Sequence, residues 1–309
     1  MTLIASMRAK FGAMILSDTQ ETVGEYKYAV LKSSPVKVKG FDYVIAGGGD
    51  GEAIDELSEE FERALRKSNC KSLDSFRALL EKQIDLQIRY LRTIKEPHAQ
   101  FELIVAATKN KKWQVWKNCR KTLVPTNADY PVLVGFDAEI YKHVGRTLYP
   151  HAKSTSQIAL VGLRILEMAR QSSTCVNAPY SGVLVTPDGI WNIDSDVLAE
   201  LTESVSSFGS AFDNLLLACS DTSIREDEFS KLLGEFTANV IQLRKDYQQS
   251  MAEKDFAVGL KSGFGCGLPV LPSNSIRSAG LDVGGWTVSV TELPKAPKQS
   301  GVQKSKGQQ

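Results

Sequence analysis

Thr2 stands directly after Met1. Threonine is small enough that an initiator Met before it is normally removed, which would leave a hydroxyl and a free α-amine on one residue. An α-amine titrates at about 7.7–8.0, so part of it is neutral near physiological pH and can take the hydroxyl proton. Nucleophile and base would then sit together on Thr2. A second feature is the run Gly47-Gly48-Gly49-Asp50-Gly51, which follows the apolar Tyr43-Val44-Ile45-Ala46 and precedes a helical pattern. Strand, glycines and helix N-terminus is the order in which phosphate sites are built. Gly47, Gly49 and Gly51 do not form G-x-G-x-x-G, however, and no G-x-x-x-x-G-K-[ST] occurs, so a nucleotide-binding module is the weakest of the functional readings. The three histidines (His98, His143, His151) share no ligand spacing. The five cysteines (Cys70, Cys119, Cys175, Cys219, Cys266) contain no C-x-x-C pair and suit reduced thiols, so neither a disulfide framework nor a metal is expected.

Composition narrows the class. With 42% hydrophobic and 24% charged residues in 309, the chain reads as an ordinary globular protein rather than a disordered or fibrous one. A net charge of +1 provides no global field for nucleic acid or an acidic membrane, and neither is expected as a partner. Apolar runs of only a few residues fall far short of the roughly 20 needed to span a bilayer. The expectation is a cytoplasmic protein with no leader.

The elements that must position Thr2 begin with it. Leu3–Met7 and Ala13–Leu16 read as a hairpin turning through Arg8-Ala9-Lys10-Phe11-Gly12. A second pair is expected from Tyr28–Leu31 through Val36–Val38, then a strand Tyr43–Ala46 that enters the glycine turn. Ala53, Ile54, Leu57, Phe61 and Leu65 recur at helical spacing, and a second long helix follows Ser72. Phe101–Ala107 and Trp113–Trp116 read as a hairpin, Val132–Gly135 as a short strand, and Ile140, Val144 and Leu148 as a helix. Ser154–Ser172 is helical. Gly182–Val185 and Gly189–Ile193 flank the turn Pro187-Asp188-Gly189. Residues 196–256 are helical with a break near 220–223. Residues 259–285 read as a Gly/Pro/Ser-rich loop before a last strand at Trp286–Val290, and a lysine-bearing tail follows from Pro294. Hairpins segregated from paired helices exclude the βαβ alternation of a doubly wound sheet and imply an α+β protein.

Five segments carry a resemblance. Thr2-Leu3-Ile4-Ala5-Ser6-Met7 followed by Ala13-Met14-Ile15-Leu16-Ser17-Asp18-Thr19 resembles the opening of proteasome β subunits and related bacterial peptidases. Pro35-Val36-Lys37-Val38, Ala46-Gly47-Gly48 and Ala178-Pro179-Tyr180-Ser181-Gly182 are similar to later motifs of the same N-terminal nucleophile (Ntn) hydrolase superfamily. The resemblance covers residues 2–200 and implies a four-layer αββα sandwich with two antiparallel sheets. It implies Thr2 as nucleophile, Lys37 as the cation that lowers its hydroxyl pKa, Asp18 as that lysine's partner, the amides of Gly47 or Gly48 as oxyanion donors, and Ser181 as an auxiliary hydroxyl.

The departures are specific. The segment between Asp18 and Lys37 is longer than the family's, which leaves Lys32 as a rival for the lysine role. Ala178 stands where the family has an Asp, and Gly135-Phe136-Asp137 lacks the usual helper serine. The expected organisation is an Ntn-like domain over 2–200, a helical and loop extension with a final strand over 201–293, and a disordered tail over 294–309. The expected function is a threonine-type peptidase or amidohydrolase of peptide or small-amide substrates that needs no cofactor. By resemblance it self-assembles, a ring being one form. The alternative is a catalytically inactive structural or regulatory subunit.

Overall fold

The computed structural model describes residues 2–23, 26–29, 34–94, 101–127, 129–135, 138–151, 154–221, 223–252, 281–283 and 286–288. The chain divides into a unit of residues 1–263 and a unit of residues 264–309. In the first, two five-stranded antiparallel sheets face one another. One sheet has the order β10-β1-β2-β11-β12, where β1 is Leu3–Ala9, β2 Gly12–Asp18, β10 Val132–Gly135, β11 Tyr180–Thr186 and β12 Gly189–Asn192. The other has the order β5-β6-β7-β8-β9, with β5 Val36–Val38, β6 Phe41–Gly49, β7 Phe101–Lys109, β8 Lys112–Cys119 and β9 Thr122–Pro125.

Alternation along the strands divides the interior into three layers. Ile4, Ile15, Val44, Ala46, Ile104, Val134 and Val183 fill the space between the sheets. Phe41, Tyr43, Phe61, Phe76, Leu103 and Trp116 form an aromatic core beneath α1 (Gly51–Lys67) and α2 (Leu73–Thr93). Phe76 meets Phe61 edge-on at 5.0 Å between ring centres. On the opposite side Leu3, Met7, Leu16, Ile158, Leu166 and Leu198 pack beneath α3 (Ala138–Leu148), α4 (Thr155–Ser172) and α5 (Ser195–Ser220). The fold is the αββα sandwich, and α6 (Glu226–Ala252) pairs with α5 beyond it.

Helix boundaries follow their caps. Asp50 accepts the Ala53 amide at 3.0 Å to start α1. Ser72 with Ser75, and Ser154 with Gln157, close reciprocal capping boxes on α2 and α4. The break expected between the two late helices falls at 221–225, between α5 and α6.

Several expectations need correction. The second early hairpin joins β3 (Gln20–Val23) to β4 (Tyr26–Ala29), while Val36–Val38 pairs with β6 instead. The glycines do not form a turn: Gly47, Gly48 and Gly49 are the last rungs of β6, paired with Leu103, Glu102 and Phe101. β9 was not expected from the sequence; it is a short edge strand lying beside β8. In the second unit β13 (Leu281–Val283) pairs antiparallel with β14 (Trp286–Val288). The tail from Pro294 lies outside the described residues.

Candidate active site around Thr2

β1 places every second side chain between the sheets: Ile4 points inward, whereas Leu3 and Ala5 lie beneath the helices. Thr2 shares the Ile4 side by this alternation and is 6% exposed. Its backbone is held tightly. Asp18, the last residue of β2, is fully buried, and its Oδ1 accepts the Leu3 amide at 2.8 Å. Gly135, at the end of the neighbouring β10, has φ +96°, and a Cβ there would lie 1.8 Å from the Thr2 carbonyl oxygen. Gly48 closes from the opposite sheet, where a Cβ would stand 3.0 Å from Gly135 Cα and 3.5 Å from the Thr2 carbonyl. Only glycine admits this approach of three backbones.

Ser181 lies opposite Ser17 in the β2–β11 ladder, and the two hydroxyls are hydrogen-bonded at 2.9 Å. Ser17 is itself opposite Ile4. The structure therefore brings Thr2, Asp18, Gly48 and Ser181 to one end of the sandwich. Gly47 faces the other way: a Cβ on it would meet the Ile54 side chain of α1 at 2.7 Å, so its missing side chain makes room for helix packing.

Lys37 is not brought to this end. On β5 it pairs with Asp42 at 3.4 Å, lies 4.9 Å over the Trp191 ring, and its side chain is 62% exposed. Asp42 and Gly48 are six residues apart on β6, about 20 Å at strand rise. The sequence motif Val36-Lys37-Val38 is right for a strand but pairs with the far end of β6. Lys32, the rival, lies outside the described residues, as do Phe136 and Asp137. Ala178 is exposed and supplies no carboxylate.

Residues that the sequence reading did not single out surround the site. Glu102, opposite Gly48 in the β6–β7 ladder, accepts the Gly135 amide at 3.0 Å and pairs with Lys117 of β8 at 3.2 Å. Beneath Asp18, its ladder partner Tyr180 donates its hydroxyl to the fully buried Glu167 of α4 at 2.7 Å. Glu167 also receives Arg170 through two nitrogens, at 3.1 and 2.9 Å. Burial, followed by the bond to Glu167, pushes the Tyr180 hydroxyl well above the usual tyrosine range, with Asp18 adding to the shift. Thr19 donates to the Pro179 carbonyl at 2.8 Å and ties the end of β2 to the segment before β11. These partners meet only through strand register and helix packing, which no local motif announces. Among the described residues no three His, Cys, Asp or Glu side chains gather to hold a metal ion, and no helix is long and apolar enough to cross a membrane.

No family model matches the chain, and no curated protein matches it in sequence. Solved structures similar to it include Anbu (ancestral beta-subunit) from Yersinia bercovieri, with a TM-score of 0.58, 12% identity, and coverage of 72% of this chain and 99% of that one. A Gly-1 mutant of Anbu from Hyphomicrobium sp. strain MC1 gives a TM-score of 0.60 at 13% identity over 73% and 99% of the two chains. The helical assembly of the Anbu complex from Pseudomonas aeruginosa gives 0.58 at 10% identity over 70% and 96%. These neighbours correct the family expected from the sequence: they are Anbu structures, a lineage distinct from the proteasome β subunits whose motifs Thr2 and Asp18 suggested. At such identities the shared feature is the fold, a proteasome-like αββα sandwich.

Proposed function

We propose that this chain is an amide hydrolase whose nucleophile is the Thr2 hydroxyl, acting once Thr2 carries a free α-amine. The observation that carries the reading is the buried position of Thr2 at the head of β1, with its backbone clamped by Asp18, Gly48 and Gly135. In the reaction Thr2 Oγ1 attacks the substrate carbonyl carbon and its proton passes to the α-amine. The C–N bond then breaks, the leaving amine takes that proton, and an ester remains on Thr2 until water hydrolyses it. Asp18 is a positioning residue that fixes Leu3 and so the start of the strand. Gly48 offers an amide as oxyanion donor, and Ser181 orders the hydroxyls beside Thr2 through Ser17. The substrate is a peptide or a smaller amide. The chain works as an assembly of copies, a reading supported by the helical assembly of the structurally similar Anbu complex from Pseudomonas aeruginosa.

The position of Lys37 favours a second reading, a subunit without turnover. With Lys37 held by Asp42 and Trp191, the cation expected to acidify the Thr2 hydroxyl is not supplied from β5.

Intact mass spectrometry with a threonine-directed peptide epoxyketone or β-lactone separates the two. One covalent adduct on wild type and none on Thr2→Ala supports the hydrolase, and labelling should rise with pH through about 8 as the α-amine loses its proton. A free Thr2 that takes up neither probe supports the subunit without turnover.

A further inference from the structure

Beside the Thr2 end, between the two sheets' outer strands, lies a cavity of about 840 Å³. That volume is within the range of organic ligand sites. Among the described residues five cationic side chains line it, Arg92, Lys117, Arg120, Lys142 and Arg146, against the one carboxylate of Glu102. This imbalance is local, since the chain as a whole carries only +1. Lys117 is paired with Glu102 and Lys142 with Glu139. Among the described residues Arg92, Arg120 and Arg146 enter no ion pair. A carboxylate already samples this field at the cavity's margin: Glu139 is held below its ordinary range by its hydrogen bond and attraction to Lys142, with Lys117 and Arg146 contributing.

We propose that this cavity binds an extended acidic peptide, one that alternates carboxylate and apolar side chains. Three observations select a peptide over a compact phosphate. First, the cations are distributed over the end of α2, over β8 with the turn after it, and along α3, so they do not converge on a point. Second, among the described residues no helix N-terminus lines the cavity, Lys142 and Arg146 standing in the middle and last turns of α3, and such a terminus is the usual seat of a phosphate. Third, the wall between the charges is apolar, built from Leu91, Phe101, Pro131 and Val132.

The strands at the cavity fit the same occupant. Val124 and Pro125 come from β9 and Val132 from β10, and each of these strands is the outermost of its sheet. Much of their outward backbone is already bonded, the Leu123 amide to Glu81, the Leu133 carbonyl to Lys117 and the Gly135 amide to Glu102, so the strands supply walls and side-chain pockets and the charges supply the attraction. The chain's own tail is not the occupant by charge, because residues 294–309 carry four lysines and no carboxylate side chain. The cavity also reaches the Thr2 end, since its lining Glu102 holds the amide of Gly135, the residue packed on the Thr2 carbonyl. The inference rests on the cavity and is independent of any chemistry at Thr2.

Fluorescence anisotropy of the full chain with a labelled peptide of alternating Glu and Leu tests it, alongside a Lys/Leu peptide of equal length and the doubly substituted Arg120→Glu, Arg146→Glu protein. Both arginines are exposed, and circular dichroism of the variant checks that the fold is kept. The expected result is binding of the acidic peptide alone, weakened by salt and weakened at least about tenfold by the two charge reversals. No binding of the Glu/Leu peptide, or equal binding by wild type and a folded variant, overturns the proposal. Displacement of the peptide by equimolar inorganic pyrophosphate also overturns it and makes the cavity a phosphate site.

Discussion

The Leu3 amide donates to Asp18 Oδ1 at 2.8 Å, and this one bond between adjacent strands fixes where the residue before Leu3 can lie. Both partners are fully buried, so neither can turn to water if the other is removed. Asp18→Ala should cost about 1–3 kcal/mol, the penalty for an unsatisfied buried donor. Asp18→Asn keeps an oxygen acceptor and should cost less. Urea unfolding of the two variants gives the order, and equal losses would mean that the bond contributes nothing.

Gly135 and Gly40 both have positive φ, at +96° and +73°, yet they should respond differently to substitution. A Cβ on Gly40 meets nothing within 4 Å, so Gly40→Ala should lose only the left-handed backbone preference, about 1 kcal/mol. On Gly135 the Cβ would penetrate the Thr2 carbonyl at 1.8 Å, and backbone on both sides must shift. Gly135→Ala should therefore lose more than about 3 kcal/mol or fail to accumulate as folded protein. Thermal melts of the pair make the comparison.

The helices and the first hairpin were legible because their signals are local, whereas the second early hairpin was misplaced because Val36–Val38 pairs with β6 rather than with its sequence neighbour. Asp50, Ser72 and Ser154 cap helices by reaching three residues ahead, and an apolar stripe such as Leu57, Phe61 and Leu65 needs only its own spacing. The placement of the site was legible only in part. Thr2 and Asp18 belong to one hairpin, whose register follows from its turn. Lys37 depends on which rung of β6 it meets, and the chain pairs it with Asp42 rather than sliding it toward Gly48. Gly47 and Gly48 look alike in sequence, but strand alternation turns one toward Ile54 and the other toward Thr2. Glu102 reaches the Gly135 amide, and Lys117 the Leu133 carbonyl, only once the two sheets are assembled, so nothing near them in sequence marks them.

Lys37→Ala should leave the chemistry at Thr2 untouched. The lysine is mostly solvent-exposed, so its pair with Asp42 is screened, and stability should change by no more than about 0.5 kcal/mol. If wild type forms the Thr2 adduct, the Lys37→Ala protein should form it at the same rate, by time-resolved intact mass. A tenfold slower reaction would mean that Lys37 acts at Thr2 after all.

Alkaline pH should destabilise the protein through three of its nine tyrosines. Burial raises the hydroxyls of Tyr43, Tyr149 and Tyr180 above their ordinary range, reinforced at Tyr43 by Glu62 and at Tyr180 by Glu167. Below about pH 10 these groups are neutral in both folded and unfolded chains and titration exerts no effect. Above it the unfolded chain loses their protons while the folded chain retains them, so stability falls as pH rises, by up to about 1.4 kcal/mol per pH unit for each. The ultraviolet phenolate band should accordingly rise in two stages, the second coinciding with loss of circular dichroism. A single stage completed while the fold persists would contradict the buried placement.

The α5–α6 hairpin exposes Phe212, Leu216, Leu233 and Ile241, each more than two-fifths accessible. Single exposed apolar residues are ordinary, but several large ones on one helix pair form a patch of the sort that another protein surface covers. If copies of the chain assemble through this hairpin, Leu216→Glu should shift sedimentation toward the monomer at a given concentration. The same change should leave the melting temperature of the monomer nearly unaltered, because Leu216 is 58% exposed and leaves no cavity behind. Unchanged sedimentation of a folded Leu216→Glu protein would place any self-association on another face.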